Sequence, residues 1–338
     1  MTLTIKDIAK ACGVSVSTVS RVLNDHPDVS AANREKVLAV VDELHYVPNN
    51  SARDLVKAPS DTIGLVVRGI GNPFFTNVIY SIEDACSQAG YTMVLHQVQT
   101  GEDELVCAAQ LARSKRLRGL ILLGGRFEYT PEDVAGLDVP FVCCTYTNRF
   151  GSLSPKAYSS VSIDDQKQAY KIVSMLTQRG HKKIGIILDQ LADHSISQLR
   201  FDGYCQALEE SSIPLDRDLI EETGTFGMAD GYRAMTNLLS RRNDMTAVFV
   251  ISDALAVAAM KALHDHGKRI PEDCCVAAID GIEMSSYTFP TLTTLIQPQE
   301  EMGRLSVQIL LDILEGRGEH RHIIVDTTTR EGGSICAI

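Results

Sequence analysis

From Thr62 onward the chain alternates short apolar, β-branched runs with segments of helical periodicity, and it does so twice. TIGLVV, YTMVLHQ, LRGLILLG and VPFVCCT read as strands, separated by helical stretches around 76–90 and 102–116. The alternation resumes with KKIGIIL, a helix near 198–211, MTAVFVIS, a helix from about Asp253 to His266, and CCVAAID. Strands that alternate with helices form parallel sheets joined by right-handed crossovers, because a parallel neighbour is reached only by a long return over one face. Two such sets in tandem imply two lobes, and the chain's 338 residues, 44% of them hydrophobic, are enough for more than one core. Ligands of such sheets collect at the carboxyl ends of the strands.

The first sixty residues have a different texture. In TIKDIAKACGVSVSTVSRVLN, residues 4–24, Ile5, Ile8, Ala9 and Cys12 form one apolar stripe at helical spacing. Gly13 offers a positive φ to end that helix, and Ser15 is placed to cap a second one. Val19, Val22 and Leu23 face back onto the first helix, which leaves Val16, Ser17, Ser20 and Arg21 pointing outward, the arrangement of a recognition helix. A third helix is expected from about Ala31 to Leu44, with Ser30 as cap and Val37, Val40, Val41 and Leu44 as its stripe. Pro48 disfavours its continuation. On composition alone the following NNSARDLVKAPSD reads as a polar linker.

Charge separates these two parts. The net charge is −11, yet in residues 1–60 seven cations (Lys6, Lys10, Arg21, Arg34, Lys36, Arg53, Lys57) balance seven anions (Asp7, Asp25, Asp28, Glu35, Asp42, Glu43, Asp54). The remainder therefore carries the whole acidic excess and repels nucleic acid, restricting any DNA contact to the neutral head. Nine scattered cysteines without a CxxC suggest reduced thiols rather than a disulfide framework or metal knuckle. GxSxG, HExxH and GxxxxGK[ST] are absent, and the pairs His264/His266 and His320/His322 are spaced by two, so no enzyme, cofactor or metal site is expected. No run is long enough to span a bilayer and no signal pattern opens the chain, so a cytoplasmic protein is expected.

The opening run resembles the DNA-binding head of the lactose and galactose repressor family, with Cys12 where the family usually has alanine. NPFF at 72–75, RGHKKIGII at 179–187, SQLRFDGYCQAL from Ser197 and AAIDGIEMSSYTFPTLTTLIQP ending at Pro298 extend the resemblance along the chain in order. It implies a small all-α helix-turn-helix head (1–47), a hinge helix and linker (48–60), and an α/β two-lobed body like the periplasmic sugar-binding proteins, built on parallel sheets (61–338). Crossings are placed near 160, 290 and 325, giving an N-lobe of about 61–160 and 291–325 and a C-lobe of about 161–290 and 326–338.

The resemblance also implies roles. Arg21 would grip guanine, Val16 and Ser17 would set sequence preference, and Thr18, Ser20, Asn24, Ser30, Tyr46 and Asn49 would hold phosphates. Leu55 would wedge into the minor groove beside Ala52 and Arg53, while Asp54 departs from the small residue usual there. Arg200 and Asp280 would grip an effector with His194, Ser197, Ser252 and Asp253 nearby, and Phe74, Phe75 and Phe226 would offer flat apolar faces. His194 and Ile196 stand where purine-binding relatives use a basic residue and a hydroxyl, which favours a sugar or sugar phosphate. The implied partners are operator DNA and a second copy of the chain. A regulator answering to a partner protein and a stand-alone small-molecule binding protein are the alternatives.

Overall fold

The computed structural model describes residues 5–23, 26, 28–43, 61–99, 101–191 and 194–338. Asn24, Leu44, Tyr46, Asn49, Ala52, Arg53, Leu55 and the whole 48–60 segment lie outside the described residues, as does the side chain of Ile5. The chain divides into two compact units, Met1–Ser60 and Asp61–Ile338.

In the first unit, α1 (Ile5–Cys12), α2 (Val16–Leu23) and α3 (Ala31–Glu43) enclose one small core of Ile8, Ala9, Cys12, Val19, Val22 and Val37. Gly13 takes φ +63°, and the amide of Val14 returns to the carbonyl of Ala9 at 3.1 Å, which stops α1 and turns the chain. Ser15 Oγ accepts the amide of Thr18 at 3.1 Å and so caps α2. Ser30 Oγ accepts the amide of Asn33 at the start of α3, at 3.4 Å.

The second unit contains two six-stranded sheets. The first has β1 (Thr62–Arg68), β2 (Thr92–Val98), β3 (Gly119–Leu123), β4 (Phe141–Cys144), β5 (Ser159–Ser162) and β11 (His322–Ile324), in the order β11-β5-β4-β3-β1-β2. The second has β6 (Ile184–Leu188), β7 (Ile220–Glu222), β8 (Ala247–Val250), β9 (Cys275–Asp280), β10 (Thr293–Ile296) and β12 (Thr328–Arg330), in the order β12-β10-β9-β8-β6-β7. Every pairing is parallel except β10 with β12. β3, β4, β6, β8 and β9 are buried at every residue, as strands covered on both faces by helices must be.

The helices are α4 (Phe74–Gln88), α5 (Glu104–Lys115), a short α6 (Pro131–Val134), α7 (Asp165–Thr177), α8 (Ile196–Glu210), α9 (Met228–Arg241), α10 (Asp253–Asp265) and α11 (Gln299–Leu314). The chain leaves the first sheet after β5, returns to it through α11 after β10, and crosses a third time between β11 and β12. β5 (Ser159–Ser162) ends the first run of the first sheet close to the crossing expected near 160, whereas β10 belongs to the second sheet, a few residues beyond the crossing expected near 290. The cause is register: Thr293–Ile296 pairs with Ala277–Asp280, which carries the second lobe as far as Ile296.

Described helices include none long and apolar enough to cross a membrane. The nine cysteines are unbridged.

Close helix packing depends on Gly203 of α8. A Cβ there would lie 2.2 Å from the carbonyl oxygen of Gln166 and 2.8 Å from the amide of Tyr170, both backbone atoms of α7. Gly203→Ala is expected to destabilise the body by about 1–3 kcal/mol, the usual cost of overpacking. Thermal unfolding would read this as a lowered midpoint, and an unchanged midpoint would show that the two helices separate freely.

Candidate functional site

Two surfaces collect the residues that can do chemistry. On the head, α2 presents Val16, Ser17 and Arg21 to solvent, with Thr18 and Ser20 half-buried beside them. Ser17 and Thr18 are tied to Ser15 by hydroxyl contacts of 2.7 and 2.8 Å, and Arg21 pairs with Asp28 at 3.2 Å across an exposed surface. Such an exposed pair is worth little, so a stronger anion can displace Asp28.

In the body, the carboxyl ends of β8 and β9 meet at Arg200, which projects from the first turns of α8 and is 1% exposed. Its Nε donates to Asp165 Oδ1 at 3.0 Å, its Nη2 lies 2.9 Å from the same oxygen, and its Nη1 donates to the carbonyl of Ile251 just past β8. Nη1 also lies 3.6 Å from Asp280 Oδ1, at the end of β9. Asp280 Oδ1 accepts Gln297 Nε2 at 2.9 Å, whereas its buried Oδ2 has no hydrogen-bond partner among the described residues.

Asp280 sits in an unusual turn. Its φ is +142°, a region side chains rarely adopt, and Gly281 follows at +74° with no room for a Cβ, which would lie 2.7 Å from Ile296 Cα. Asp253 staples this turn by accepting the amides of Gly281 and Ile282 at 2.9 and 3.0 Å and the hydroxyl of Thr294 at 2.6 Å.

Burial pushes the Asp280 carboxyl up to about 8, with Arg200 opposing and the Asp253 charge adding to the rise. Asp165 is also raised by burial against the pull of Arg200. One guanidinium thus serves two buried carboxyls, and the less well paired one holds a proton more tightly. Asp280 can accept a hydroxyl hydrogen at Oδ2 or, protonated, donate one, which suits a polyol.

The other residues singled out from the sequence are arranged around this pair to different degrees. Ser197 Oγ accepts the amide of Asp189 at 3.3 Å, and Ser252 caps α10 by accepting the amide of Leu255 at 3.4 Å, so both are engaged with backbone. Asp253 is likewise taken up by the turn. Phe74 and Phe75 open α4 but are 4% and 8% exposed and pack in the core, and Phe226 is half-buried against it. His194 is exposed, with φ +39°; its Nδ1 lies 2.9 Å from Glu128 Oε2 and its ring stacks on Phe150 at 5.2 Å. Glu128 and Phe150 come from the loops that flank β4 in the first lobe, so His194 joins the lobes.

The first lobe contributes a network that no motif announced. Glu104, at the start of α5 and 1% exposed, accepts the amide of Arg126 at 2.9 Å, the hydroxyl of Tyr129 at 2.9 Å and Arg68 Nη1 at 3.1 Å. Burial alone would raise its carboxyl, but these hydrogen bonds and the Arg126 charge outweigh it and hold it below the usual range. Tyr129 and Tyr146 share a 2.8 Å hydroxyl contact in the same place. A second bridge joins the lobes through Gln299, which donates to the carbonyl of Asp280 at 3.3 Å and accepts Asn77 Nδ2 at 2.9 Å. Beside it runs an inter-lobe groove of about 340 Å³ lined by Thr76, Asn77, Glu283, Tyr287 and Gln299, among others.

Residues 4–49 match the family model described as bacterial regulatory proteins, lacI family, and residues 173–335 match the periplasmic binding protein-like domain. The HTH-type transcriptional regulator MalR of Clostridium butyricum is 40% identical over 334 residues, covering 98% of this chain and 99% of that protein. This chain belongs to the lacI family. It is accordingly a DNA-binding transcriptional regulator and not an enzyme. Among solved structures of lacI-type regulators, it is similar to a CelR–cellobiose complex, with a TM-score of 0.73 and 29% identity over 98% of this chain and 99% of that one. It is also similar to the lac repressor dimer bound to operator and the anti-inducer ONPF, with a TM-score of 0.76 and 26% identity over the full length of both.

The Asp280 environment has a pH signature. With a folded value of about 8 against about 3.9 in the unfolded chain, the native state binds the proton more tightly, so stability falls as pH rises from about 4 to about 8. Asp280→Asn removes this contribution. Urea unfolding at pH 5 and pH 8 is expected to show the variant gaining on the parent by at least about 1.4 kcal/mol at the higher pH, the equivalent of one pH unit. Parallel pH profiles would mean that Asp280 is ionised throughout.

Proposed function

We propose that this regulator represses transcription as a dimer on a pseudo-palindromic operator and is controlled by a sugar or sugar phosphate held between its two lobes. The observation that carries the effector half is Arg200 with Asp280 at the strand ends, where Asp280 Oδ2 is buried and open to a new hydrogen bond. A sugar hydroxyl meeting that oxygen gains a bond without displacing a protein one. Similarity to a cellobiose-bound regulator supports a saccharide.

For the DNA half, residues 1–47 form the head and 48–60 the hinge. Arg21, Val16 and Ser17 on the exposed face of α2 read bases. Thr18, Ser20, Asn24, Ser30, Tyr46 and Asn49 hold the backbone, and Leu55, with Ala52 and Arg53, enters the minor groove at the centre of the site. Similarity to a repressor dimer on its operator supports the two-fold arrangement. The exposed Tyr80, Met284, Tyr287 and Phe289 provide apolar surface for a second copy. The protein works in the cytoplasm, where operator and sugar are both present.

Effector binding changes lobe closure and, through the paired N-lobes, the hinge; couplings of this kind alter operator affinity by about 5–150-fold. A gel shift on DNA from upstream of the protein's own gene, at two salt concentrations with random competitor, tests the first half. Calorimetry against sugars, sugar phosphates and purine bases tests the second. Competitor-sensitive binding would overturn the operator reading, and heat from purines alone would overturn the saccharide.

Leu55→Ala is expected to weaken specific operator binding by about 10-fold or more, the loss of a wedge contact worth a few kcal/mol at most. Its effector affinity should be unchanged. Equal operator affinity in the variant would remove the hinge leucine from the mechanism.

A further inference from the structure

Outside the cleft, three donor side chains of different chemistry converge at the edge of the first sheet. His96 lies on β2, the outermost strand, Glu102 on the loop that follows, and Cys107 in α5. One imidazole nitrogen, one carboxylate oxygen and the thiol sulfur all lie within 4.8 Å of one another. Cys107 Sγ is 3.8 Å from Glu102 Oε2, and that oxygen is already oriented by the amide of Gln99 at 2.8 Å. Among the described residues the His96 ring takes part in no hydrogen bond or ion pair.

The backbone beneath the cluster is well anchored. Asp103 caps α5 by accepting the amides of Leu105 and Val106, and the adjacent Glu104 is locked in the first-lobe network. We propose that His96, Glu102 and Cys107 form a binding site for a divalent transition-metal ion of the zinc class.

Tetrahedral zinc with bonds near 2.0–2.3 Å places its ligand atoms roughly 3.4–3.5 Å apart. Side-chain rotations of little more than about 1 Å therefore close the cluster around an ion, while the strand and helix stay in place. A thiolate beside an imidazole selects zinc-like ions over the hard magnesium and calcium, which prefer all-oxygen shells. On binding, the sulfur–metal bond forms as the thiol proton passes to solvent, and water completes the fourth position. Sequence motifs give no sign of the site because its donors, at 96, 102 and 107, come from a strand, a loop and a helix rather than one short run.

The test uses the full-length chain without a polyhistidine tag, reduced, with Zn²⁺ competed against a chromophoric chelator. One ion per chain is expected, and Cys107→Ser and His96→Ala should each weaken it by more than about 100-fold, beyond what losing an outer-shell partner costs. Cys275→Ser, which alters a thiol remote in the sequence, should bind like the parent. Co²⁺ should produce a sulfur-to-cobalt charge-transfer band in the parent and none in Cys107→Ser. Equal affinity in parent and His96→Ala, or loss of binding in Cys275→Ser instead, would overturn the site. Matching thermal midpoints of the metal-free proteins exclude misfolding as the cause.

Discussion

The floor of the second lobe depends on one buried guanidinium. Arg200 joins α8 to the first turn of α7 through Asp165, to the end of β8 through the carbonyl of Ile251, and to the end of β9 through Asp280. Removing it would leave two buried carboxyls without their cation, and breaking a buried pair in this way costs about 3–5 kcal/mol. A single cation cannot saturate two aspartates, so Asp280 retains bonding capacity that a polar ligand can complete.

That capacity is coupled outward by short links. The carbonyl of Asp280 accepts Gln299 at the start of α11, and Gln299 accepts Asn77 on α4, so a change at the end of β9 is felt in the first lobe within two hydrogen bonds. His194, Glu128 and Phe150 form a separate link across the lobes. The first link is sheltered and joins backbone to amide; the second is exposed and joins an imidazole to a carboxylate.

The two-sheet architecture was legible because its central strands are apolar at nearly every position, which only burial on both faces explains. Strands at the margins were not. SSVS, IEE and TTR are polar and three or four residues long, and β10 follows the turn residues Gly281 and Pro290 that suggested a crossing near 290, yet it pairs with β9 in the second sheet. Arg200 and Asp280 stood out through the family resemblance, since each sits in a run with a distinctive pattern, and the structure brings them together. Glu104, Arg68, Tyr129 and Tyr146 did not, because an acid in the first turn of a helix looks solvent-facing until tertiary packing brings two arginines and a tyrosine over it. Phe74 and Phe75 show the reverse case: aromatic residues after a strand suggested a ligand platform, and both pack into the core.

The three chain crossings all leave from one side of the body. β5 and β11 lie at one end of the first sheet, and β10 and β12 at the corresponding end of the second. Residues 325–327 alone connect β11 to β12, a tether of roughly 10–14 Å at full extension. The two sheets are therefore bound like the covers of a book along that edge, and the short tether favours rotation about this spine over separation there. With strands about 4.8 Å apart, β2 and β7 lie on the order of 20 Å from it, so a turn of about 10° opens the far margin by roughly 3–4 Å while scarcely moving the spine. The leverage is greatest at the margin formed by β2 and β7, where a small rotation produces the largest displacement.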